Sequence, residues 1–326
     1  MSMREWPRSK FGNTNLSVTK ICWGCAPLGG VADLGYVVPE KKAIEILLKI
    51  FESPINFLDT ANFYGESESR IGKAIKLKGG LPEDFILATK ADRDRATNSF
   101  SAGQIRKSVE TSIARLGLKR LPLVYLHDPE YHPLYASNRK KAMQEILAPD
   151  GPVAELEKLK KEGAVSHIGI SGGPIDMLLE FIATGRFDAV ITHSRWNLLW
   201  QTAGPLIQKA HEMGLGIVNA SVYASGILAS GPVDGARAAY QVPTPEIVER
   251  VRRIESVCQR YKAPLAAAAL QFSLRDSRIS STAVGISRPE EVEETLRLAG
   301  ISLPEEIWAD LNELAEKEAD PESDRW

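Results

Sequence analysis

The sequence lacks several features that would assign it to a broad class at once. No apolar run approaches the roughly 18 residues of a transmembrane helix. No apolar segment follows the charged start MSMREWPRSK, which argues against a secretory signal. A formal net charge of −2 over 326 residues leaves no strongly basic surface for nucleic acid. We therefore expect a cytoplasmic protein that binds neither membranes nor nucleic acid.

Cysteine is scarce, with three residues in the chain. Cys22 and Cys25 form a C-x-x-C pair, but no second Cys or His pair follows at zinc spacing. Both lie in the apolar run ICWGCAPLGG, which favours buried thiols over a metal or redox site. We expect no bound metal and a reducing compartment.

What the sequence does contain is an alternation of short β-rich runs and amphipathic helical stretches. With 44% hydrophobic residues, the chain can bury a large core. Eight strands that alternate with helices predict an α/β protein, a closed (β/α)8 TIM barrel, formed by residues 1–326 as one domain. From about residue 315 a charged tail follows, which we expect to be partly mobile. The predicted strands are Val18–Cys22, Ile55–Asp59, Phe85–Lys90, Leu123–His127, Val165–Ser171, Ala189–Thr192, Gly216–Ala220 and Ser281–Val284.

A doubly wound open sheet is the alternative to a barrel. Such a sheet would begin with a G-x-G-x-x-G turn after its first strand, and GCAPLGG does not match that pattern. Two connections are longer than the rest, at residues 132–150 and 221–244. In barrel enzymes such insertions usually extend the loops that hold the active site.

Ionisable residues end three consecutive predicted strands. Asp59 ends the second strand in NFLDTANFYG, with Tyr64 five residues later, while Lys90 ends the third strand and His127 the fourth. The carboxyl ends of parallel strands share one rim, with neighbours about 4.8 Å apart. We therefore expect an Asp59–Lys90 ion pair beside the imidazole, with the phenol close to all three.

This combination suits proton transfer at an alcohol or carbonyl oxygen. A free phenol, with a pKa of about 10, is a weak acid or base near neutrality. We expect the Lys90 ammonium to lower the pKa of Tyr64, and His127 to contact the same substrate oxygen. Each residue also has a structural interpretation, such as a helix cap for Asp59, but their joint occurrence at one rim favours catalysis.

At these residues the sequence resembles the aldo-keto reductase family. The segment FLDTANFYGESESRIGKAI is similar to the family signature around its catalytic Asp and Tyr, and Lys90 and His127 stand where the other two catalytic residues are expected. The resemblance extends from about Arg4 to Leu314. It implies a (β/α)8 barrel that binds a nicotinamide dinucleotide without a Rossmann motif, with Tyr64, Asp59, Lys90 and His127 as catalytic residues.

Departures from the usual family pattern point to one branch. Ser171 matches a residue that holds the nicotinamide carboxamide, but Gly172 replaces the usual Asn. His193 replaces a Gln, and Ala220 replaces a stacking aromatic residue. The sequence in this respect resembles sugar 1-dehydrogenases acting on D-threo-aldoses (L-fucose) or L-galactose, which oxidise the anomeric carbon to a lactone.

The resemblance also implies contacts to cofactor and substrate. The implied cofactor contacts are Gly24, Cys25, Ser171, His193, Ser221, Tyr223, Ser225, Gly226, Leu228, Gly285, Ser287, Arg288, Glu291 and Thr295. The implied substrate contacts, for a small sugar or other carbonyl or alcohol compound, are Trp23, Tyr131 and Trp196.

The choice between NAD and NADP depends on the segment VGISRPEEVEET. A helix is predicted to begin near Pro289, and Ser287 and Arg288 could donate to an anion at its N-terminus. Glu291 stands where NADP-specific relatives carry an Arg, and its carboxylate repels a 2′-phosphate. We therefore favour NAD over NADP. An NADPH-dependent aldehyde or ketone reductase and a cofactor-sensing regulatory subunit are the alternative functions.

Overall fold

Eight parallel strands close into a barrel in a computed structural model of the chain, which describes residues 6–31 and 37–325. This confirms the predicted (β/α)8 fold. A short antiparallel hairpin of β1 (Arg8–Lys10) and β2 (Ser17–Thr19) precedes the barrel. The barrel strands are β3 (Ile21–Gly24), β4 (Phe57–Asp59), β5 (Ile86–Ala91), β6 (Leu121–His127), β7 (Val165–Gly172), β8 (Ala189–His193), β9 (Gly216–Ala220) and β10 (Ser281–Gly285).

Helices follow the strands and cover the outside of the barrel. They are α1 (Glu40–Glu52), α2 (Ser67–Lys78), α3 (Ala102–Leu116), α4 (Tyr135–Leu147), α5 (Pro152–Lys161), α6 (Ile175–Ala183), α7 (Gly204–Glu212), α8 (Ile227–Ser230), α9 (Pro245–Arg260), α10 (Leu265–Leu274), α11 (Glu290–Ala299) and α12 (Ile307–Asn312). Helix α1 shows why they pack there, because Ile46, Leu47 and Ile50 are wholly buried at helical spacing. Among the described residues, no helix combines the length and apolarity needed to cross a bilayer.

The first predicted strand was placed wrongly. Its residues are divided between β2, which belongs to the hairpin, and β3, which is the first barrel strand. The two strands are separated only by Lys20, so the hydrophobic pattern runs through both without interruption. The hairpin brings the wholly buried Phe11 against Phe57, with ring centroids 5.7 Å apart, at the end of the barrel opposite the carboxyl ends of the strands.

The two long connections are more structured than the sequence suggests. Helix α4 occupies most of residues 132–150, and it buries Ala142, Met143 and Ile146. The connection after β9 contains α8, whose Ile227 and Leu228 are both fully buried. The connection at residues 221–244 is thus anchored to the core by apolar side chains.

All three cysteines are free and buried, as the apolar context predicts for Cys22 and Cys25. Burial raises the pKa of Cys22 and Cys25 well above the ordinary thiol value, and the Asp59 carboxylate adds to this shift. The thiol form dominates at neutral pH, and the thiolate is the form that attacks disulfides and binds metals.

Candidate active site

The barrel rim brings together the four residues that the sequence singles out. The Lys90 Nζ lies 2.5 Å from Asp59 Oδ1 and 2.8 Å from the Thr60 carbonyl oxygen. The side chains of Lys90 and Asp59 are only 2% and 8% exposed. The predicted ion pair is thus present and buried, which is the geometry in which removal of one partner is costly.

The phenol and the imidazole lie beside this pair. Lys90 Nζ is 4.7 Å from the centroid of the Tyr64 ring. The Tyr64 and His127 rings meet edge to face, with centroids 5.6 Å apart. All four residues line one cavity of about 920 Å³ at the carboxyl ends of the strands. The arrangement can hold a substrate oxygen between a phenol and an imidazole.

The net effect of this environment on Tyr64 is opposite to the sequence-based expectation. Burial raises the pKa of Tyr64 well above its usual value, and the carboxylates of Asp59 and Asp128 raise it further. The ammonium of Lys90 is bound to Asp59, and it does not outweigh burial and the carboxylates, which keep the pKa of Tyr64 raised. Tyr64 therefore holds its proton at neutral pH, as a proton donor must.

A fifth residue, Asp92, was not identified from the sequence. Its Oδ1 is bonded to His127 Nδ1, and its Oδ2 accepts a hydrogen bond of 2.8 Å from the Phe63 backbone N–H. Asp92 is buried and directly follows β5. A carboxylate at Nδ1 fixes that nitrogen as a donor, while Nε2 lies 3.4 Å from Asp128 Oδ2 on the cavity wall.

The signal for Asp92 was present but weak. It lies two residues after Lys90, in the segment TKADRDR, where alternating charges resemble a solvated loop. Nothing in the spacing shows that one of these acids turns inward to contact a histidine on the neighbouring strand.

The charged tail contributes to the site. Arg195 is wholly buried, and it binds Asp320 at 2.6 Å and Glu322 at 2.7 Å. Burial alone would raise the pKa of Glu322, but its contacts with His193 and Arg195 outweigh burial and lower that pKa to about 2. The expectation of a partly mobile end is wrong for residues 316–322, because the tail packs against the rim through this network and through a hydrogen bond of 2.8 Å from the Glu316 N–H to the Leu199 carbonyl.

A buried acid lies behind the cavity wall. Glu130 accepts a hydrogen bond of 2.7 Å from the Gly173 N–H, while its Oε2 has no partner among the described residues. Burial, and then the charge of Asp128, raise the pKa of Glu130 well above its usual value. A Cβ added at Gly172 would lie 2.8 Å from Met177 Cε and 3.0 Å from Glu130 Oε2, so a larger residue there would displace the ends of these side chains.

Asp128, Glu130 and His193 form a possible set of metal ligands. One ligand atom from each lies within 4.8 Å of the others. Metal ligands must be deprotonated, and the raised pKa of Glu130 opposes this. The expectation that no metal is bound therefore stays a prediction.

Part of the implied cofactor site lines the same cavity. Ser171, His193, Ser225 and Gly226 are all on its wall. At Gly226 the backbone has a φ of +103°, and an added Cβ would meet no atom of residues 6–31 or 37–325 within 4 Å. A cavity of this size with a few polar groups fits the nicotinamide end of a dinucleotide.

The other implied cofactor residues lie outside this cavity wall. Cys25 and Leu228 have no exposed surface, so their side chains cannot contact a ligand in this conformation. Ser221 Oγ lies 3.1 Å from Tyr240 Oη, at the edge of the same loop. The remaining residues of this group are Gly24, Tyr223, Gly285, Ser287, Arg288, Glu291 and Thr295.

The N-terminal end of α11 differs from the expected open anion site. The Ser287 N–H donates to Glu291 Oε2 at 2.7 Å, and the Arg288 N–H donates to the same oxygen at 3.1 Å. Arg288 Nε donates to Glu291 Oε1 at 2.9 Å. The expected donors are thus bound to an internal carboxylate, and an external anion would have to displace it.

Of the three implied substrate contacts, only Tyr131 lines the cavity. Trp23 is a correction, because its side chain is fully buried and its Nε1 donates to Ser53 Oγ on the helix side of the barrel wall. Trp196 is not on this cavity wall and packs against Phe272, with ring centroids 5.5 Å apart, so its contact with substrate stays a prediction. Aromatic residues near strand ends can belong to either side of the wall, and sequence spacing does not distinguish the two.

Comparison with known proteins agrees with this geometry. A model of the aldo/keto reductase family matches residues 20–316, so the chain belongs to that family. It is an NAD(P)-dependent oxidoreductase of the kind that acts on small carbonyl or sugar substrates.

The most similar relatives include sugar dehydrogenases. The chain is 31% identical to L-galactose dehydrogenase from Arabidopsis thaliana, over 95% of this chain and 92% of that one. It is 32% identical to D-threo-aldose 1-dehydrogenase from a Pseudomonas species, over 91% and 94% of the two chains. Among solved structures, an aldo-keto reductase from Bacillus halodurans superposes with a TM-score of 0.76 at 23% identity, over 98% of this chain and 100% of that one, which supports the fold alone.

Proposed function

We propose that this protein oxidises the anomeric carbon of an aldose to a lactone, with NAD as the preferred acceptor. The observation that carries the proposal is the cavity in which the Tyr64 phenol lies beside His127 and the buried Lys90–Asp59 pair. The similarity to L-galactose and D-threo-aldose dehydrogenases supports a sugar as substrate.

In this reaction the cyclic sugar loses two hydrogens from its anomeric centre. The hydroxyl proton would pass to the phenolate form of Tyr64, and a nicotinamide dinucleotide held in the cavity would supply the acceptor for the hydride that leaves the carbon. His127, held by Asp92, lies beside the phenol and limits the positions that the substrate oxygen can take. Lys90 and Asp59 hold the site in shape through their ion pair.

The raised pKa of Tyr64 gives oxidation a definite pH dependence. The phenolate accepts the substrate proton, and the fraction of phenolate grows as the pH rises toward that pKa. Oxidation should therefore accelerate into the alkaline range. The same raised pKa favours carbonyl reduction near neutrality, because the phenol is then protonated and ready to donate, and reduction is the second candidate direction.

The first test is a panel of free aldoses assayed with NAD and with NADP. L-Galactose, L-fucose, D-arabinose and D-glucose should be compared by the absorbance of the reduced cofactor. We expect turnover with at least one of them and lactone as the product. Reduction of simple aldehydes with NADPH, without oxidation of any aldose, would reject the proposal in favour of a reductase.

The preference for NAD is tested at Glu291. Its carboxylate satisfies the Ser287 and Arg288 N–H groups that a 2′-phosphate would otherwise bind. Glu291→Arg removes this internal anion and reverses the charge, so the ratio of kcat/KM for NADP to that for NAD should rise about 5- to 150-fold, or roughly 1–3 kcal/mol. Glu294→Arg, one helical turn further along α11, is a matched control with the same charge change. A wild type that prefers NADP, or an equal shift in both variants, would contradict the assignment.

A further inference from the structure

The cavity wall contains a buried guanidinium that has no carboxylate partner among the described residues. Arg93 is 9% exposed and lines the cavity together with Tyr64 and His127. Within residues 6–31 and 37–325, its one hydrogen bond is from Nε to Asn98 Oδ1, at 2.9 Å. Its two terminal nitrogens are therefore left for a ligand in the cavity.

Other buried Lys and Arg side chains in the described chain are paired. Lys90 binds Asp59, and Arg195 binds two carboxylates of the tail. Burial of a charge without a counter-charge is costly, so proteins rarely retain it without a use. Arg93 is the exception, and it lies on the wall of the candidate active site.

The acids next to Arg93 in the chain are engaged elsewhere. Asp92 uses one oxygen for His127 and the other for the Phe63 N–H. Asp94 Oδ1 accepts hydrogen bonds from the Ala96 N–H, the Thr97 N–H and the Thr97 hydroxyl, at 2.9–3.1 Å. Neither acid forms an ion pair with Arg93 in the described structure.

Two aromatic rings fix the orientation of the guanidinium. Its central carbon lies 4.5 Å from the Phe63 ring centroid and 4.1 Å from that of Tyr131. Stacking between two rings restricts the planar group and reduces the entropy lost when it binds a ligand. The Phe63 ring also contacts His127 edge to face, at 6.5 Å between centroids, so roughly one ring separates Arg93 from the reacting groups.

We propose that Arg93 binds a carboxylate at the end of the substrate remote from the anomeric carbon, which narrows the substrate class to uronic acids. A guanidinium fork matches the two oxygens of a carboxylate. Arg93 and His127 line one cavity on either side of the Phe63 ring, so a single sugar in that cavity can face both. This inference rests on the proposed function, because it assumes that a sugar occupies the cavity.

The test compares two glycosides that differ at a single group. Methyl α-D-galactopyranoside and methyl α-D-galactopyranosiduronate carry CH2OH and carboxylate, respectively, at the same carbon. Both are locked at the anomeric carbon, so neither is turned over and calorimetry with NAD present reports binding alone. We expect the wild-type enzyme to bind the uronate about 10- to 100-fold more tightly, as for a charged hydrogen-bonded pair.

Variants of Arg93 connect this preference to its side chain. Arg93→Met should abolish the preference, and Arg93→Lys, which keeps the charge without the fork, should retain part of it. Arg95 is the matched control, because its guanidinium also stacks on Phe63, at 4.1 Å, but it is exposed and does not line the cavity. Arg95→Gln should keep the full preference.

The outcomes separate this inference from the proposed function. The carboxylate assignment would be overturned if the wild type bound both glycosides equally or bound neither. It would also be overturned if the preference for the uronate survived in Arg93→Met. Both conclusions hold whatever the aldose panel shows. If the enzyme oxidised neutral aldoses but Arg93 conferred no preference for the uronate, the proposed function would still hold. Arg93-dependent binding of the uronate, without oxidation of D-galacturonate or any neutral aldose, would support the carboxylate site and reject sugar oxidation.

Discussion

Tyr64→Phe is expected to lower kcat by about 10²- to 10⁴-fold while the fold and the affinity for NAD are retained. The substitution removes one hydroxyl from a ring that contacts His127 and Lys90, and the ring itself keeps both contacts. The phenolic proton moves in the transition state, so its removal affects turnover more than binding. The alkaline rise of the oxidation rate should disappear as well, because the group that produces it is gone.

The barrel provides a matched control for the loss of a phenolic hydroxyl. Tyr125 is fully buried inside the barrel, and its hydroxyl has no hydrogen-bond partner among the described residues. Tyr125→Phe should therefore leave kcat and its pH dependence unchanged. Steady-state kinetics of both variants with one aldose, over a range of pH, provide the comparison. Near wild-type turnover in Tyr64→Phe would exclude the phenol as the proton-transfer group.

The sequence predicts this site well where the chain topology determines the geometry. Parallel strands in a barrel direct their carboxyl ends to one rim, so Asp59, Lys90 and His127 had to be neighbours once their strands were identified. The ion pair follows from the cost of burying a lone charge. These inferences need strand order and polarity, and both are available from the alternation of strands and helices.

Other features depend on details of side-chain packing that sequence spacing does not contain. Asp92 turns inward to His127, whereas Asp94, two residues later, caps its own loop, although both occur in one charged segment. Glu322 reaches Arg195 across 127 residues of sequence. The pKa of Tyr64 was predicted in the wrong direction because burial, which depends on the complete cavity, exceeds the effect of the paired ammonium. Long-range contacts and burial are properties of the assembled fold.

The second large effect is expected at the ion pair, where Lys90→Met should lower the free energy of unfolding by about 3–5 kcal/mol at pH 7. The substitution leaves the Asp59 carboxylate buried without its partner at 2.5 Å. Lys73→Met is the matched control, because Lys73 forms an exposed pair with Glu40 at 2.8 Å and its loss should cost no more than about 1 kcal/mol. Denaturant unfolding of the two variants and the wild type measures the difference.

The pH dependence of this loss identifies its cause. Burial raises the pKa of Asp59, while Lys90 opposes that shift, so the pKa should rise further in Lys90→Met. A group whose pKa is raised in the folded state stabilises the fold below its unfolded pKa, about 3.9 for Asp, and this stability is lost as the pH rises through the folded-state value. The stability of Lys90→Met should thus approach that of the wild type in acid and decrease relative to it toward neutral pH.

Adding Asp59→Asn removes the titrating group, so the double variant should recover stability at pH 7 and lose the excess pH dependence. A constant deficit across this range, unchanged by Asp59→Asn, would mean that Lys90 stabilises the barrel through packing of its side chain and not through its charge.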